Sequence, residues 1–316
     1  MSNLAASPEL TSEQNEVSNS ILLTPRKVEL TPRSGIAIDR LLPHRDLRTI
    51  GAWCFVDHFG PTNQAKAMSV AAHPHTGLQT VTWLFSGNVE HRDSVGSVAE
   101  IYPGQLNIMT AGYGISHSEL SLNTEVDLHG IQIWVVLPDE HRDIEPHFNH
   151  YKNLPTTSIS NTIIKVFVGD FANMKSPAIK YSPLVGAEIQ FLSADSIEFE
   201  LDKNFEYGVM VISGQVKVTG QQVNPGSMIF LPAGSVSIDI AASTDSKIIL
   251  LGGEPFTEPI IMWWNFIGRN HDEIVEMRSD WESHNQRFGQ FTDQIGGRIP
   301  APPMPGLKLT ARANKF

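Results

Sequence analysis

His73 and His75, followed about forty residues later by His117 and Glu119, supply three imidazoles and a carboxylate in two clusters of the form donor-x-donor. In an extended strand residues i and i+2 share a face, so each pair points two donors the same way. Two such strands turned towards one interior bring four donors together, the arrangement of a single mononuclear metal site. Three neutral imidazoles and one carboxylate leave a divalent ion with net positive charge and, if it is six-coordinate, with positions open to water or substrate. Such a centre can bind a substrate oxygen and dioxygen together. Imidazole suits iron, nickel, manganese, copper and zinc, so the donor set alone does not choose the metal.

The elements that must position these donors are strands. Between the clusters, Thr80 to Phe85 and Val89 to Asp93 are rich in β-branched and aromatic residues and are cut by Ser86-Gly87 and by Tyr102-Pro103-Gly104, the pattern of short antiparallel strands closing a small barrel. The spacing of His73-Pro74-His75, Gly87, Pro103-Gly104 and Gly114 to His117 follows the two-part cupin pattern. The run His73 to Thr82, with Glu90 to Ser94 and Met109 to Glu119, resembles the pirin family within the cupin superfamily; Val56 to Pro61, Gly253-Glu254-Pro255 and Glu258-Pro259 fit it too. The likeness spans roughly residues 28 to 270. It implies a bicupin with iron in its N-terminal barrel and, for some members, oxidative cleavage of flavonols such as quercetin. The family's four metal ligands fall on His73, His75, His117 and Glu119. Thr76 and Gln79 stand where many relatives carry Arg and Glu, which removes one charge of each sign from the expected mouth of the site. Many cupins outside the family take a Glu ligand five residues after the second His; Thr80 stands there, so the carboxylate must come from Glu119.

Length and composition set the frame. The chain has 316 residues, 41% of them hydrophobic, enough for two domains with packed cores. A net charge of −11 without a Lys/Arg cluster argues against direct binding to nucleic-acid phosphates. The lone cysteine, Cys54, excludes an intramolecular disulfide and a cysteine-rich metal site and points to a reduced, cytoplasmic setting. The polar start lacks the basic and apolar regions of a signal peptide, and no run of apolar residues is long enough for a spanning helix.

The expected fold is all-β: two tandem jelly-roll cupin barrels with a short C-terminal helix and an extended tail. The expected division is a disordered polar tail over residues 1–27, a metal-binding barrel over 28–150, a second barrel over 151–270, and a helix with irregular tail over 271–316. Pro138 to Pro155 reads as a polar connector. Internal duplication supports two barrels: Ile212-Ser213-Gly214 repeats Phe85-Ser86-Gly87, and Asn224-Pro225-Gly226 repeats Tyr102-Pro103-Gly104. His73 and His75 precede Gly87 by fourteen and twelve positions, and the same offsets before Gly214 give Glu200 and Asp202; Ser237 stands in place of His117. The second barrel is therefore expected to be metal-free. In the last segment Ile274, Met277 and Trp281 recur at helical spacing behind acidic first-turn residues, an amphipathic helix packed by its apolar stripe.

Other residues carry blander readings. His91 satisfies a turn, His141, His147 and His150 are solvated on the connector, and Glu254 holds a turn between barrels. His58 could reach the rim of the pocket, and the aromatics of Met262 to Phe266 pack between elements or line a ligand mouth. The leading functional reading is an Fe(II) dioxygenase whose small-molecule substrate is a flavonol or similar enolic aromatic, cleaved with O2 and release of carbon monoxide, with Glu119 as both ligand and base. A second is an iron-dependent redox-sensing regulator that binds a protein partner through its acidic surface and C-terminal segment. A third, an isomerase of phosphorylated sugars, wants a basic pocket, for which the metal-bearing strands offer mainly Arg92.

Overall fold

A computed structural model describes residues 20–29, 37–45, 47–62, 68–122, 126–291 and 295–314. The β-branched and aromatic runs pair antiparallel into two sandwiches of one plan, each with a seven-stranded and a four-stranded sheet. The N-terminal large sheet runs, in spatial order, His147–Tyr151, Leu106–Thr110, Leu78–Ser86, Leu128–Val136, Trp53–Thr62, Ala37–Leu42 and Arg26–Glu29. Its small sheet runs Ser69–His75, Ile115–Ser121, Val89–Asp93 and Val98–Ile101. In the C-terminal half the large sheet is built on Glu206–Ser213, Ser246–Gly253, Leu184–Phe191 and Thr162–Val168, and the small one on Asp195–Glu200, Ser237–Ala242 and Val216–Val218. The duplication read from the glycine turns is thus a duplication of sheets.

The two large sheets pack back to back. Cys54, Val56, Trp83, Ile131 and Ile133 from one meet Phe167, Met210, Ile212, Phe230 and Ile249 from the other in a single apolar cluster. Burial on both faces explains the near-continuous apolar run of Trp53–Thr62, where Trp53 to Phe59 are all buried. The small-sheet strand Asp195–Glu200 has one wet face and alternates instead, with Ile197 and Phe199 buried and Glu198 and Glu200 exposed. Two indoles fasten the junction: Trp53 Nε1–H donates to the Val185 and Gly252 carbonyls at 3.2 and 3.0 Å, and Trp83 Nε1–H donates to Glu188 at 2.7 Å. At its edge the backbones touch: a Cβ on Gly51, whose φ is +52°, would fall 2.7 Å from Gly253 Cα, so only glycine fits. The Gly51 N–H donates to the buried Glu206 carboxylate at 2.6 Å.

Two expectations are corrected. Residues 1–19 of the expected tail lie outside the described residues, but residues 20–27 are not a loose tail. Ile21–Leu23 pairs with Met228 to Phe230 in the C-terminal sheet, and Arg26–Glu29 pairs with the N-terminal strand Ala37–Leu42. The physical reason is the apolar triplet at 21–23: Leu23 is fully buried in the core between the sandwiches. The connector likewise contains a strand, His147–Tyr151, paired with Leu106–Thr110. Its residues are all half-buried, as suits a sheet edge, and this kept the segment polar.

The C-terminal segment folds back over the N-terminal sandwich. Its hairpin, Ile261–Trp263 with Phe266–Gly268, leads into the helix His271–Glu282, capped by Asn270, whose side chain accepts the Glu273 N–H. The helix buries Ile274, Met277 and Trp281, the stripe expected from the sequence, against Phe266 and Phe288. Three contacts reach the strands that carry the donor clusters. The Ile267 N–H donates to the Thr76 carbonyl at 3.1 Å, the Ile299 N–H to the Ala72 carbonyl at 2.8 Å, and Ser116 Oγ–H to the Phe288 carbonyl at 2.8 Å. Each braced residue adjoins a histidine of the clusters. No helix among the described residues is long and apolar enough to cross a membrane.

Candidate metal centre

His73 and His75 lie on Ser69–His75 and His117 and Glu119 on Ile115–Ser121, adjacent strands of the small N-terminal sheet in which His117 stands opposite His73. The register between the two strands shifts after His117, Ala71 and Ala72 together standing opposite Ser118, while Ile115–Ser121 keeps an unbroken register against Val89–Asp93 and both His117 and Glu119 are buried. Donor atoms of His73, His75 and His117 all lie within 4.8 Å of one another, and a second group of the same tightness joins His91, His117 and Glu119. His117 is common to both. Nε2 of His75 and Nε2 of His117 face each other at 3.1 Å. His73 Nδ1–H donates to the Ala71 carbonyl at 2.9 Å, which leaves its Nε2 lone pair free.

Burial sets the charge state of this cluster. It pushes the His73 imidazole down to about 4, opposed by the Ala71 carbonyl and helped by His91. Burial, and then the neighbouring histidines, hold His75 and His117 well below the ordinary histidine value. At neutral pH all three are neutral and offer lone pairs. Burial also raises the Glu119 carboxyl, opposed by His91 and by hydrogen bonds from Gln132 and Thr82. Neutral imidazoles and a carboxylate gathered in a dry interior fit a divalent transition ion by the chemistry of the donor set.

His73, His75 and Glu119 open onto a cavity of about 450 Å³. One wall is Phe55 stacked on Trp134, ring centres 4.0 Å apart and planes at 12°. Arg40 lies over Phe55 at 4.4 Å and makes a two-pronged ion pair with Asp57, both contacts 2.7 Å. Met262, Trp264, Asn265 and Ile299 of the C-terminal segment line the cavity with them. Trp264 holds a left-handed backbone, φ 53°, at the hairpin tip, a conformation rare for so bulky a residue.

The N-terminal sandwich, residues 35–135, matches the family model described as Pirin, and residues 186–289 match the Pirin C-terminal cupin domain. The chain belongs to the pirin family. Among curated pirin relatives, a Pseudomonas aeruginosa protein named "Putative quercetin 2,3-dioxygenase" is 41% identical over 86% of this chain and 87% of its own. Human Pirin is 25% identical over 86% of this chain and 95% of its own. A crystal structure described as quercetin 2,3-dioxygenase from Acinetobacter baumannii superposes with a TM-score of 0.88 at 38% identity, covering 92% of this chain and 97% of that one. The bicupin fold expected from the sequence is therefore the fold of this pirin.

Several residues depart from their expected places in the pirin site. His58 does not reach the cavity rim: strand alternation sends Phe55, Asp57 and Phe59 into the cavity, while His58 bonds His129 through their Nε2 atoms at 2.7 Å. Thr76 and Gln79 are not at the mouth. Both are buried, Thr76 donating to Met277 Sδ at 3.1 Å and Gln79 to Thr110 at 3.0 Å, and neither lines the cavity. Positive charge comes from Arg26 and Arg40, not from Arg92, which pairs with Glu90 at 2.6 Å. The connector histidines are packed and not merely solvated: His147 bonds the Glu145 carbonyl and Tyr181, His150 bonds Asn107, and the His141 ring lies 5.0 Å from that of Tyr181. Met262, Trp264 and Asn265 line the cavity, while Trp263 and Phe266 pack in the cluster around the helix, so the segment takes both of the places read for it. Arg40, Asp57 and the place of His91 behind His117 do not follow from the sequence reading, although His91-x-Asp93 carries the same period of two as the donor pairs.

Proposed function

We propose that this pirin is a metal-dependent dioxygenase, with Fe(II) as its metal, that cleaves a flavonol such as quercetin or a similar enolic aromatic using O2 and releases carbon monoxide. The observation that carries this reading is the opening of His73, His75 and Glu119 onto one cavity with a stacked aromatic wall. The names of the Pseudomonas and Acinetobacter relatives support it. His73, His75, His117 and Glu119 would hold the ion, which supplies Lewis acidity towards a substrate oxygen and a route for electrons to dioxygen.

The chain's own residues do the rest. Phe55 and Trp134 offer a flat surface on which an aromatic substrate stacks. Arg40, oriented by Asp57, faces the same space and favours an anionic substrate oxygen. Glu119, which accepts a hydrogen bond from Thr82, is the base that takes the hydroxyl proton as substrate binds. Trp264 and Ile299 add apolar surface to the lining of the same cavity.

Oxygen consumption and carbon monoxide release by anaerobically iron-loaded protein given quercetin test this directly. Stoichiometric gas exchange, lost in His117→Ala, is the expected result. Absence of gas exchange with iron tightly bound would overturn it.

A further inference from the structure

Behind His117 lies a chain of hydrogen bonds that ends on a buried carboxylate. His117 Nδ1 is 3.3 Å from His91 Nδ1, and His91 Nε2 is 2.9 Å from Asp93 Oδ2. The other oxygen of Asp93, Oδ1, accepts the backbone N–H groups of Val95 and Ser97 at 3.0 and 2.9 Å. Asp93 and His91 are 1% and 4% exposed, so water does not offer alternative partners, and the His91 ring is held from its face by Phe148, stacked at 4.3 Å with planes at 14°. The three residues sit on adjacent strands, His117 opposite Asp93 and Glu119 opposite His91.

Proton positions in this chain follow from its end. A carboxylate only accepts, so Asp93 requires the His91 proton on Nε2. With His91 as a neutral imidazole, its Nδ1 is then a lone pair and requires a proton on His117 Nδ1. That leaves His117 Nε2 bare, and Nε2 is the atom that faces His75. We propose that Asp93 and His91 are positioning residues that fix His117 in its metal-binding tautomer and raise the basicity of its Nε2. This inference rests on the reading of His117 as a ligand. Donation of a ligand's second ring N–H to an acceptor is the usual way a protein orients a metal-binding histidine; here the acceptor is a second imidazole, itself set by a carboxylate two bonds away.

The Asp93→Asn substitution inverts the chain without removing an atom. The Val95 and Ser97 N–H groups hold the amide oxygen, so the amide nitrogen faces His91 and donates to its Nε2. His91 then carries its proton on Nδ1 and donates to His117 Nδ1, and the His117 proton moves to Nε2, where it blocks the metal.

The test has two readouts on the same proteins. Long-range 15N–1H correlation of the metal-free protein reports which ring nitrogen carries each proton, and competition with a chelator gives the dissociation constant for nickel(II) alone. Wild type is expected to show His117 protonated on Nδ1 and His91 on Nε2. Asp93→Asn should show both tautomers reversed and bind nickel about 10–100-fold more weakly. His91→Leu should lose affinity to a similar degree, and His91→Asn, which keeps an acceptor near the Nδ1 position, should recover part of it; this pair decides the matter if Asp93→Asn does not fold. Unchanged tautomers in Asp93→Asn, or unchanged affinity in both Asp93→Asn and His91→Leu, would overturn the proposal. Failure of the underlying reading looks different: wild type and His117→Ala would bind nickel equally, whatever the tautomers.

Discussion

The two sandwiches share a strand plan but fill it differently. In the C-terminal half Ile164, Val166, Ile189, Phe199, Val209, Val211, Val218 and Ile240 gather in one apolar cluster, and the cavity of about 470 Å³ beside it is lined by Phe171, Phe199, Glu200, Asp202 and Tyr207 with no histidine. In the N-terminal half the corresponding interior holds His73, His75, Glu119, Asp57 and Gln132 around a cavity, with His117 buried beside them, and apolar packing is displaced to the outer face of its large sheet and to a smaller cluster around Phe59 and Leu84. Glu200 and Asp202, at the offsets of His73 and His75, are exposed in the second half, and Ser237 stands where His117 stands in the first. One architecture therefore accommodates a packed core or a site, and the choice lies in a handful of inward positions. The C-terminal half buries the outer face of the N-terminal large sheet, so the N-terminal half keeps an apolar core on that face while its interior carries the polar groups.

Four substitutions probe this contrast. His73→Ala should reduce nickel affinity by more than the roughly 100-fold typical of losing a residue behind a ligand, measured by chelator competition, while thermal stability stays near wild type; retained affinity would remove His73 from the site. Ile240→Ala, at a fully buried position of the second core, should destabilise the protein by about 2–5 kcal/mol in denaturant titration and leave nickel affinity unchanged.

Glu206→Gln tests the junction. Burial, partly offset by the Gly51 N–H, pushes the Glu206 carboxyl up to about 7, above its ordinary value of 4.5. The folded protein thus binds the proton more tightly than the unfolded chain, and Glu206 lowers stability progressively as pH rises from about 4.5 to about 7. The variant should lose that slope and gain about 2–3 kcal/mol above pH 7, provided the new amide oxygen still accepts the Gly51 N–H; identical pH profiles would refute the assignment. The smallest effect is expected from Ser116→Ala, which removes one hydrogen bond to the Phe288 carbonyl and should cost about 0.5–1.5 kcal/mol.

The sequence made one half of this comparison easier to read than the other. The donor pairs were legible because strand period and turn glycines place them on one face, and the duplication because Gly214 and Gly226 repeat Gly87 and Gly104. Ile274, Met277 and Trp281 announced their helix by spacing. Ile21–Leu23 was not legible, since a three-residue strand has no period to detect and its partner lies some two hundred residues away. Arg40 and Asp57 escaped notice because their pairing depends on the register of two strands, and His91 because its role depends on what stands behind His117. Thr76 and Gln79 were misplaced by analogy: nothing in a strand's alternation says which buried neighbour takes a side chain, and here Met277 and Thr110 do.

The hydrogen bonds that Ile267, Phe288 and Ile299 make to Thr76, Ser116 and Ala72 also impose an order in time. A chain is synthesised from its N-terminus, and domains fold as they emerge. His73, His75 and His117 are on their strands, and both sandwiches have been made, before the residues that brace those strands leave the ribosome. The donors are the first part of the centre to exist and its bracing is the last. On the proposed reading of the centre, full metal affinity would therefore wait until residue 299 has reached Ala72.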